Sequence, residues 1–219
     1  MSTIRELYEK GDYEGVVKSL KRLSQSDLRD PQTLYMVGRS FYEIGDYKRS
    51  LKFFQMYVET SEDKKEGYLY IGRSYLRLKK LDDAERAFEQ VMKIDERNED
   101  AVLDLGVVKA LRNDYQGAAE LFRKVTELNP RNKKAWFNLG LTYFNLNDLK
   151  GAEDSYRRAL ELDPNFVEAL YNLTGVLCLS NSPEYNEYLK RLEESDERLA
   201  EMIKKECERI RNRKRFRLW

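Results

Sequence analysis

Four glycines, Gly38, Gly72, Gly106 and Gly140, stand 34 residues apart in this 219-residue chain, with no insertion between them. A fixed period of this length means that one short supersecondary unit is built repeatedly. Each copy buries its apolar face against the next. Other columns keep the same spacing. The runs Leu34-Tyr35-Met36-Val37, Tyr68-Leu69-Tyr70-Ile71, Val102-Leu103-Asp104-Leu105 and Trp136-Phe137-Asn138-Leu139 precede the glycines. Small residues recur at Ser50, Ala84, Ala118 and Ala152, and aromatics at Phe54, Phe88, Phe122 and Tyr156. Turn pairs recur as Gly11-Asp12, Gly45-Asp46, Asn113-Asp114 and Asn147-Asp148, and Pro130 and Pro164 close two units. Leu170, Leu173 and Thr174 hold the same slots downstream, so the register reaches about residue 182.

Each unit reads as two amphipathic helices. In 133–166, Trp136, Leu139, Gly140 and Tyr143 share one helical face, and Ala152, Tyr156, Ala159 and Leu160 share another. Gly or Ala at a crossing lets two helices approach closely. Gly or Asn before Asp fits a left-handed helix end followed by an N-cap. Asp30-Pro31 and Ser182-Pro183 repeat that logic, with the cap first and Pro at the first helical position.

Trp136, Leu139, Gly140, Tyr143, Ala152, Tyr156 and Pro164 give the pattern of the tetratricopeptide repeat family, which the chain resembles over nearly its whole length. The resemblance implies an all-α fold, a right-handed superhelical solenoid of about six helical hairpins, and a binding scaffold rather than an enzyme. The repeats fall at 1–30, 31–64, 65–98, 99–132, 133–166 and 167–194. A capping helix over 195–212 and a basic, aromatic tail over 213–219 follow.

The pattern bends in two places. In the last repeat Asn186, Lys190 and Glu193 fall on the core slots of the second helix, and a shift of one residue puts Tyr185, Leu189 and Leu192 there instead. Beyond Ser195, Leu199, Met202, Ile203, Cys207 and Ile210 form one apolar stripe, as a helix covering the end of a stack would. Lys109 stands where Phe41, Tyr75 and Tyr143 stand elsewhere. A charge at that slot is costly unless its head reaches water or a carboxylate.

In the family the first helices line a concave groove, and the register assigns three inward columns. One is Arg5, Arg39, Arg73, Val107, Leu141 and Gly175; the second is Tyr8, Tyr42, Leu76, Ala110, Phe144 and Cys178; the third is Tyr35, Leu69, Leu103, Phe137 and Tyr171. The N-terminal half is therefore arginine and tyrosine, and the C-terminal half is mostly apolar. Arginine suits carboxylates bidentately, and tyrosine offers a flat anchor. The expected partner is a peptide or protein segment with acidic and apolar parts. Local pairing competes with that role, because Arg5 and Arg39 can meet Glu9 and Glu43 one turn on, at about 0.2–0.5 kcal/mol each. Arg73 has Arg77 at that place. The apolar columns could instead hold the chain's own tail or a second copy, since such surface is rarely left bare. The carboxylate clamp by which some family members hold chaperone C-termini is not matched: Arg5, Tyr70 and Glu66 occupy its slots in the first repeats. Lys134 and Asn138 appear later, but Phe137 and Leu141 spoil the rest.

Charge adds a second candidate. The 40 Lys and Arg nearly balance the 39 Asp and Glu, yet residues 209–219, RIRNRKRFRLW, carry six of the basic residues and no acid. Without them the chain has 34 basic residues against 39 acidic, a net charge of −5. Arg209, Arg211, Arg213, Lys214, Arg215, Arg217 and Trp219, with Phe216, could meet nucleic acid or an anionic membrane surface. They could equally fold back on the acidic body.

Histidine is absent, which removes the commonest general base and transition-metal ligand. No phosphate-binding glycine loop, dinucleotide fingerprint or C-x-x-C occurs, so no catalytic residue, metal or cofactor is expected. No apolar run approaches the ~18 residues of a membrane span. The polar start MSTIRELYEK does not read as a secretory signal. Cys178 and Cys207 are expected to be free thiols of a cytoplasmic chain. The sequon Asn172-Leu173-Thr174 falls inside an expected helix and reads as chance.

Overall fold

The structure, a computed structural model, describes residues 3–216, with side chains described for 3–210. Among the described residues there are α-helices and short 3-10 turns and no strand, and the chain divides into two compact units, Met1–Val108 and Lys109–Trp219. The first holds α1 (Ile4–Glu9), α2 (Tyr13–Ser19), α3 (Pro31–Glu43), α4 (Tyr47–Thr60), α5 (Lys65–Arg77), α6 (Leu81–Ile94) and most of α7 (Glu99–Leu111). The second holds α8 (Tyr115–Leu128), α9 (Lys133–Asn145), α10 (Leu149–Leu162), α11 (Val167–Leu179), α12 (Tyr185–Ser195) and α13 (Glu197–Phe216). Within each unit successive helices pair as hairpins, α3 with α4, α5 with α6, α9 with α10 and α11 with α12.

The turns follow from the residues the register places in them. Gly11, Gly45, Asn113 and Asn147 all have positive φ, the left-handed conformation that ends a helix at little cost to Gly or Asn. The next residue then caps the following helix: Asp12, Asp46, Asp114 and Asp148 accept from the backbone N–H of Gly15, Arg49, Gly117 and Gly151. The turn before α6 departs from this. Lys79 holds φ 60° and Lys80 stands at the N-cap without a side-chain bond. Asp30 caps α3 with Pro31 at the first helical position, as expected. Pro183 does not start α12. That helix begins at Tyr185 with Glu184 at its N-cap, and Ser182 Oγ accepts from the Glu184 N–H instead.

The glycine column meets the aromatic column. Phe54, Phe88, Phe122 and Tyr156 are buried, and Cβ atoms built on Gly38, Gly72 and Gly140 would lie 3.1, 2.5 and 2.6 Å from the rings of Phe54, Phe88 and Tyr156. Helices α3, α5 and α9 therefore each rest their backbone on an aromatic ring of their own hairpin. Tyr156 differs from the three phenylalanines in carrying a hydroxyl, which is buried without a hydrogen-bond partner.

The last repeat follows the shifted register, with Tyr185, Leu189 and Leu192 buried. Helix α13 lies on α11 and α12 through Ala200, Ile203 and Cys207. Met202 departs from the expected stripe at 50% exposure, because the packed line runs through 200, 203 and 207 and turns its neighbour outward. The helix continues past residue 212 to Phe216. The expectation of free thiols is corrected: Cys178 and Cys207 are joined as a disulfide, with Cα atoms 6.1 Å apart. Folding α13 back onto α11 brings together two residues that are distant in sequence. Lys109 places its ammonium 3.9 Å from the Asp114 carboxylate, so the head of this buried-slot lysine reaches a charge at the surface.

Candidate functional site

In the first unit the predicted arginines differ in what holds them. Arg5 pairs with Glu9 at 3.0 Å on an exposed surface. Arg39, with 35% of its side chain exposed, lies 3.4 Å from Glu43, donates to the Tyr35 hydroxyl at 3.4 Å, and sits over the Tyr70 ring at 5.6 Å. Arg73 sits over the same ring at 5.7 Å but is clamped by Asp104 at 2.6 Å and Asp100 at 3.3 Å. These acids lie on α7, one repeat on, so the arginine that lacks a partner one turn away finds two across the repeat boundary.

Tyrosines join the two arginines. Tyr70 stacks on Phe54 at 4.8 Å and meets Tyr35 and Tyr42 edge-on at 6.0 and 5.5 Å. Tyr8 and Tyr42 contact Tyr13 and Tyr47 in the same way. Burial pushes the Tyr8 phenol up to about 12, although the nearby Arg39 charge opposes it. Burial also raises Tyr42 and Tyr70 above the ordinary phenol range. Burial works against the charge of Arg73, but Asp104 and Asp100 outweigh it and hold the guanidinium charged. Neutral phenols and permanent cations can grip a carboxylate or a flat apolar group, and they exchange no proton near neutral pH.

Leu69, expected on the groove surface, is instead buried at 1% exposure. Its column points between helices. Tyr35 touches Phe54, Tyr57 and Tyr70, and Phe137 touches Tyr156 and Phe166. Tyr35 and Phe137 reach the surface at one edge, and Leu69 does not. Leu103 and Val107 are half-buried.

In the second unit Phe144 is 43% exposed, while Leu141 and Tyr171 are half-buried against the core. Phe144, Tyr171 and Gly175 open onto a cavity of 410 Å3 whose other wall is Cys207, Ile203 and Ile210 of α13. A larger cavity of 730 Å3 lies among α8, α9 and α10 beside Trp136 and Tyr143. Its arginines are engaged: Arg158 lies over the Trp136 ring at 5.9 Å, and Arg157 binds Glu153 and Glu184, each at 2.8 Å. The sequon threonine, Thr174, is fully buried and donates to the Leu170 carbonyl. Of the basic tail, Arg209 is exposed beside Glu206 at 3.4 Å. The side chains of Arg211, Arg213, Lys214, Arg215, Arg217 and Trp219 lie outside the described residues.

Sequence reasoning missed Tyr70 as the ring shared by two arginines, and Asp100 and Asp104 as the partners of Arg73. The register held a signal for one of them: Asp104 occupies the Tyr70 slot one repeat later, and an acid there faces the arginine of the preceding repeat.

Tetratricopeptide repeat profiles match residues 32–61, 69–128 and 134–166, together more than half of the chain. The chain belongs to the tetratricopeptide repeat family. No curated protein matches its sequence. Among solved structures, MamA from Desulfovibrio magneticus RS-1 is 17% identical with a TM-score of 0.69, the match covering 76% of this chain and 95% of that one. The C-terminal part of a TPR repeat-containing protein from Cytophaga hutchinsonii is 16% identical with a TM-score of 0.73, covering 88% and 77%. YrrB, described as a TPR protein with an unusual peptide-binding site, is 21% identical with a TM-score of 0.65, covering 88% and 97%. These likenesses concern the fold.

Proposed function

We propose that this protein is a non-enzymatic, cytoplasmic scaffold that binds a peptide or protein segment along the first helices of its repeats. The carrying observation is Arg39. Its guanidinium is partly exposed, oriented by Tyr35 and Tyr70, and held by one glutamate on its own helix rather than by a cross-repeat clamp. A carboxylate of a partner can displace or share Glu43 at modest cost, because such one-turn pairs are weak. Tyr8 and Tyr42, half-buried beside it, supply flat apolar surface for a neighbouring side chain. The favoured segment therefore has an acidic residue next to an apolar one. The fold shared with YrrB, a protein described by its peptide-binding site, supports this reading. Capture from a nuclease-treated lysate with wild-type protein and with Arg39→Ala/Tyr42→Ala tests it. A partner retained by the wild type and lost by the variant is expected; identical partners on both would overturn the assignment.

A second reading rests on the six basic residues gathered in 209–219. Contact of about six phosphates would give a salt slope near −5 on duplex DNA. Deleting 209–219 without changing binding to DNA, RNA or anionic vesicles at low salt would end that reading.

A further inference from the structure

Cys178 and Cys207 are both buried, at 3% and 2% exposure, with Cα atoms 6.1 Å apart, a separation that a disulfide spans without moving the backbone. The contact is local to one seam. Among the side chains of α13 that the structure describes, Ala200, Ile203 and Cys207 are buried, and Ile210 beyond them is half-buried. Gly175 lets the seam close, since a Cβ there would meet Ile203 at 3.2 Å. Among the described side chains, Cys207 is thus the last fully buried residue of α13. Residues 208–216 continue the helix with Phe216 as the only apolar side chain after Ile210.

Both cysteines also line the 410 Å3 cavity described above, together with the polar Asn172 and Glu206. Since a water molecule takes about 30 Å3, there is room for the reacting end of a small thiol. The sulfurs are sheltered from bulk solvent and adjoin a space that a thiol reagent can enter.

We propose that Cys178–Cys207 is a redox-controlled clamp, fixing the C-terminal half of α13 to α11 when oxidised and releasing it when reduced. Closure is thiol–disulfide exchange with a small-molecule disulfide. One cysteine thiolate attacks a sulfur of that disulfide, breaking its S–S bond and expelling one small thiolate. The second cysteine thiolate then attacks the resulting mixed disulfide at the protein sulfur and expels the other. The protein loses two electrons, the small disulfide gains two, and the two thiol protons end on the two small thiols. Opening is the reverse, with a small thiol as reductant. In a reducing compartment a disulfide of this kind is transient rather than permanent. The released segment is the one whose sequence carries Arg209, Arg211, Arg213, Lys214 and Arg215, so the clamp controls how that basic stretch is presented, whatever the first-helix face binds.

The test equilibrates the full chain in oxidised or in reduced glutathione, without denaturant, and divides each sample. One portion is alkylated after denaturation and weighed by mass spectrometry. The other is followed by amide hydrogen exchange. No added alkyl groups in the oxidised sample and two in the reduced one are expected. Amides of 204–216 should exchange at least about tenfold faster in the reduced protein, with those of α11 unchanged. Alkylation of the oxidised sample, resistance of the folded protein to reduction, or equal exchange in both states would overturn the proposal. Cys207→Ser should not show the slow exchange of the oxidised wild type in either buffer, and its appearance in that variant would also overturn the proposal.

Discussion

A Cβ on Gly140 would lie 2.6 Å from Cε1 of Tyr156, closer than two carbons can stand. At Gly38, Gly72 and Gly140 the recurring glycine is thus the imprint of an aromatic ring beneath it. A mid-helix Gly→Ala change ordinarily gains about 1 kcal/mol. Here overpacking opposes it by about 1–3 kcal/mol, because a fully buried ring has nowhere to go. Gly140→Ala and Gly72→Ala should lower the urea midpoint. Gly38→Ala, whose Cβ would stand 3.1 Å from Phe54, should cost less.

Tyr156 carries the penalty of an unbonded hydroxyl in an apolar core, and burial alone raises its phenol far above the ordinary range. The other repeats use Phe54, Phe88 and Phe122 in that slot. Tyr156→Phe should therefore raise stability, by about 1 kcal/mol, since the desolvated hydroxyl is removed and the ring keeps its place. A destabilised variant in denaturant titration would mean that the hydroxyl has a partner.

The turn before α6 breaks the Gly/Asn-Asp rule with a lysine at both places. Lys80→Asp should add the missing cap and gain about 1 kcal/mol. Lys79→Gly should relieve a left-handed lysine, at φ 60°, by a similar amount. Thermal unfolding of the two single variants and the double variant checks both, with near-additive gains expected.

Arg39 and Arg73 should separate binding from stability. Replacing Arg73 with Ala removes two inter-repeat ion pairs and takes the guanidinium away from Asp104, a carboxylate 17% exposed. The cost should be about 1–2 kcal/mol, reduced from a fully buried pair because Arg73 is itself partly solvated. Asp104→Ala should cost a similar amount, and the double variant less than the two added together. Arg39→Ala should leave stability within about 0.5 kcal/mol. Equal losses for the two arginines would contradict the division of roles.

Much of this was legible from spacing alone. The 34-residue column places the helices, the turn glycines and asparagines, the aspartate caps, and the shifted Tyr185-Leu189-Leu192 face of the last repeat. Contacts between repeats were less legible, because a column shows which face a residue shares and not what stands opposite. Arg73 with Asp100 and Asp104 is such a case, and so is Leu69, buried where Tyr35 in the same column reaches the surface. The cysteines were readable in part. Cys178 falls in an inward column and Cys207 on the capping stripe, but the spacing did not show that the two faces meet, and both read as free thiols in the sequence.

Selection from a random peptide library on the immobilised protein addresses the proposed binding face itself. Enriched peptides should carry Asp or Glu beside an aromatic or aliphatic residue. Arg39→Ala should weaken them at least about tenfold, a loss of about 1.4 kcal/mol, with Tm unchanged. Peptides without acidic residues, or affinities indifferent to Arg39→Ala and Tyr42→Ala in folded variants, would contradict the assignment of that face.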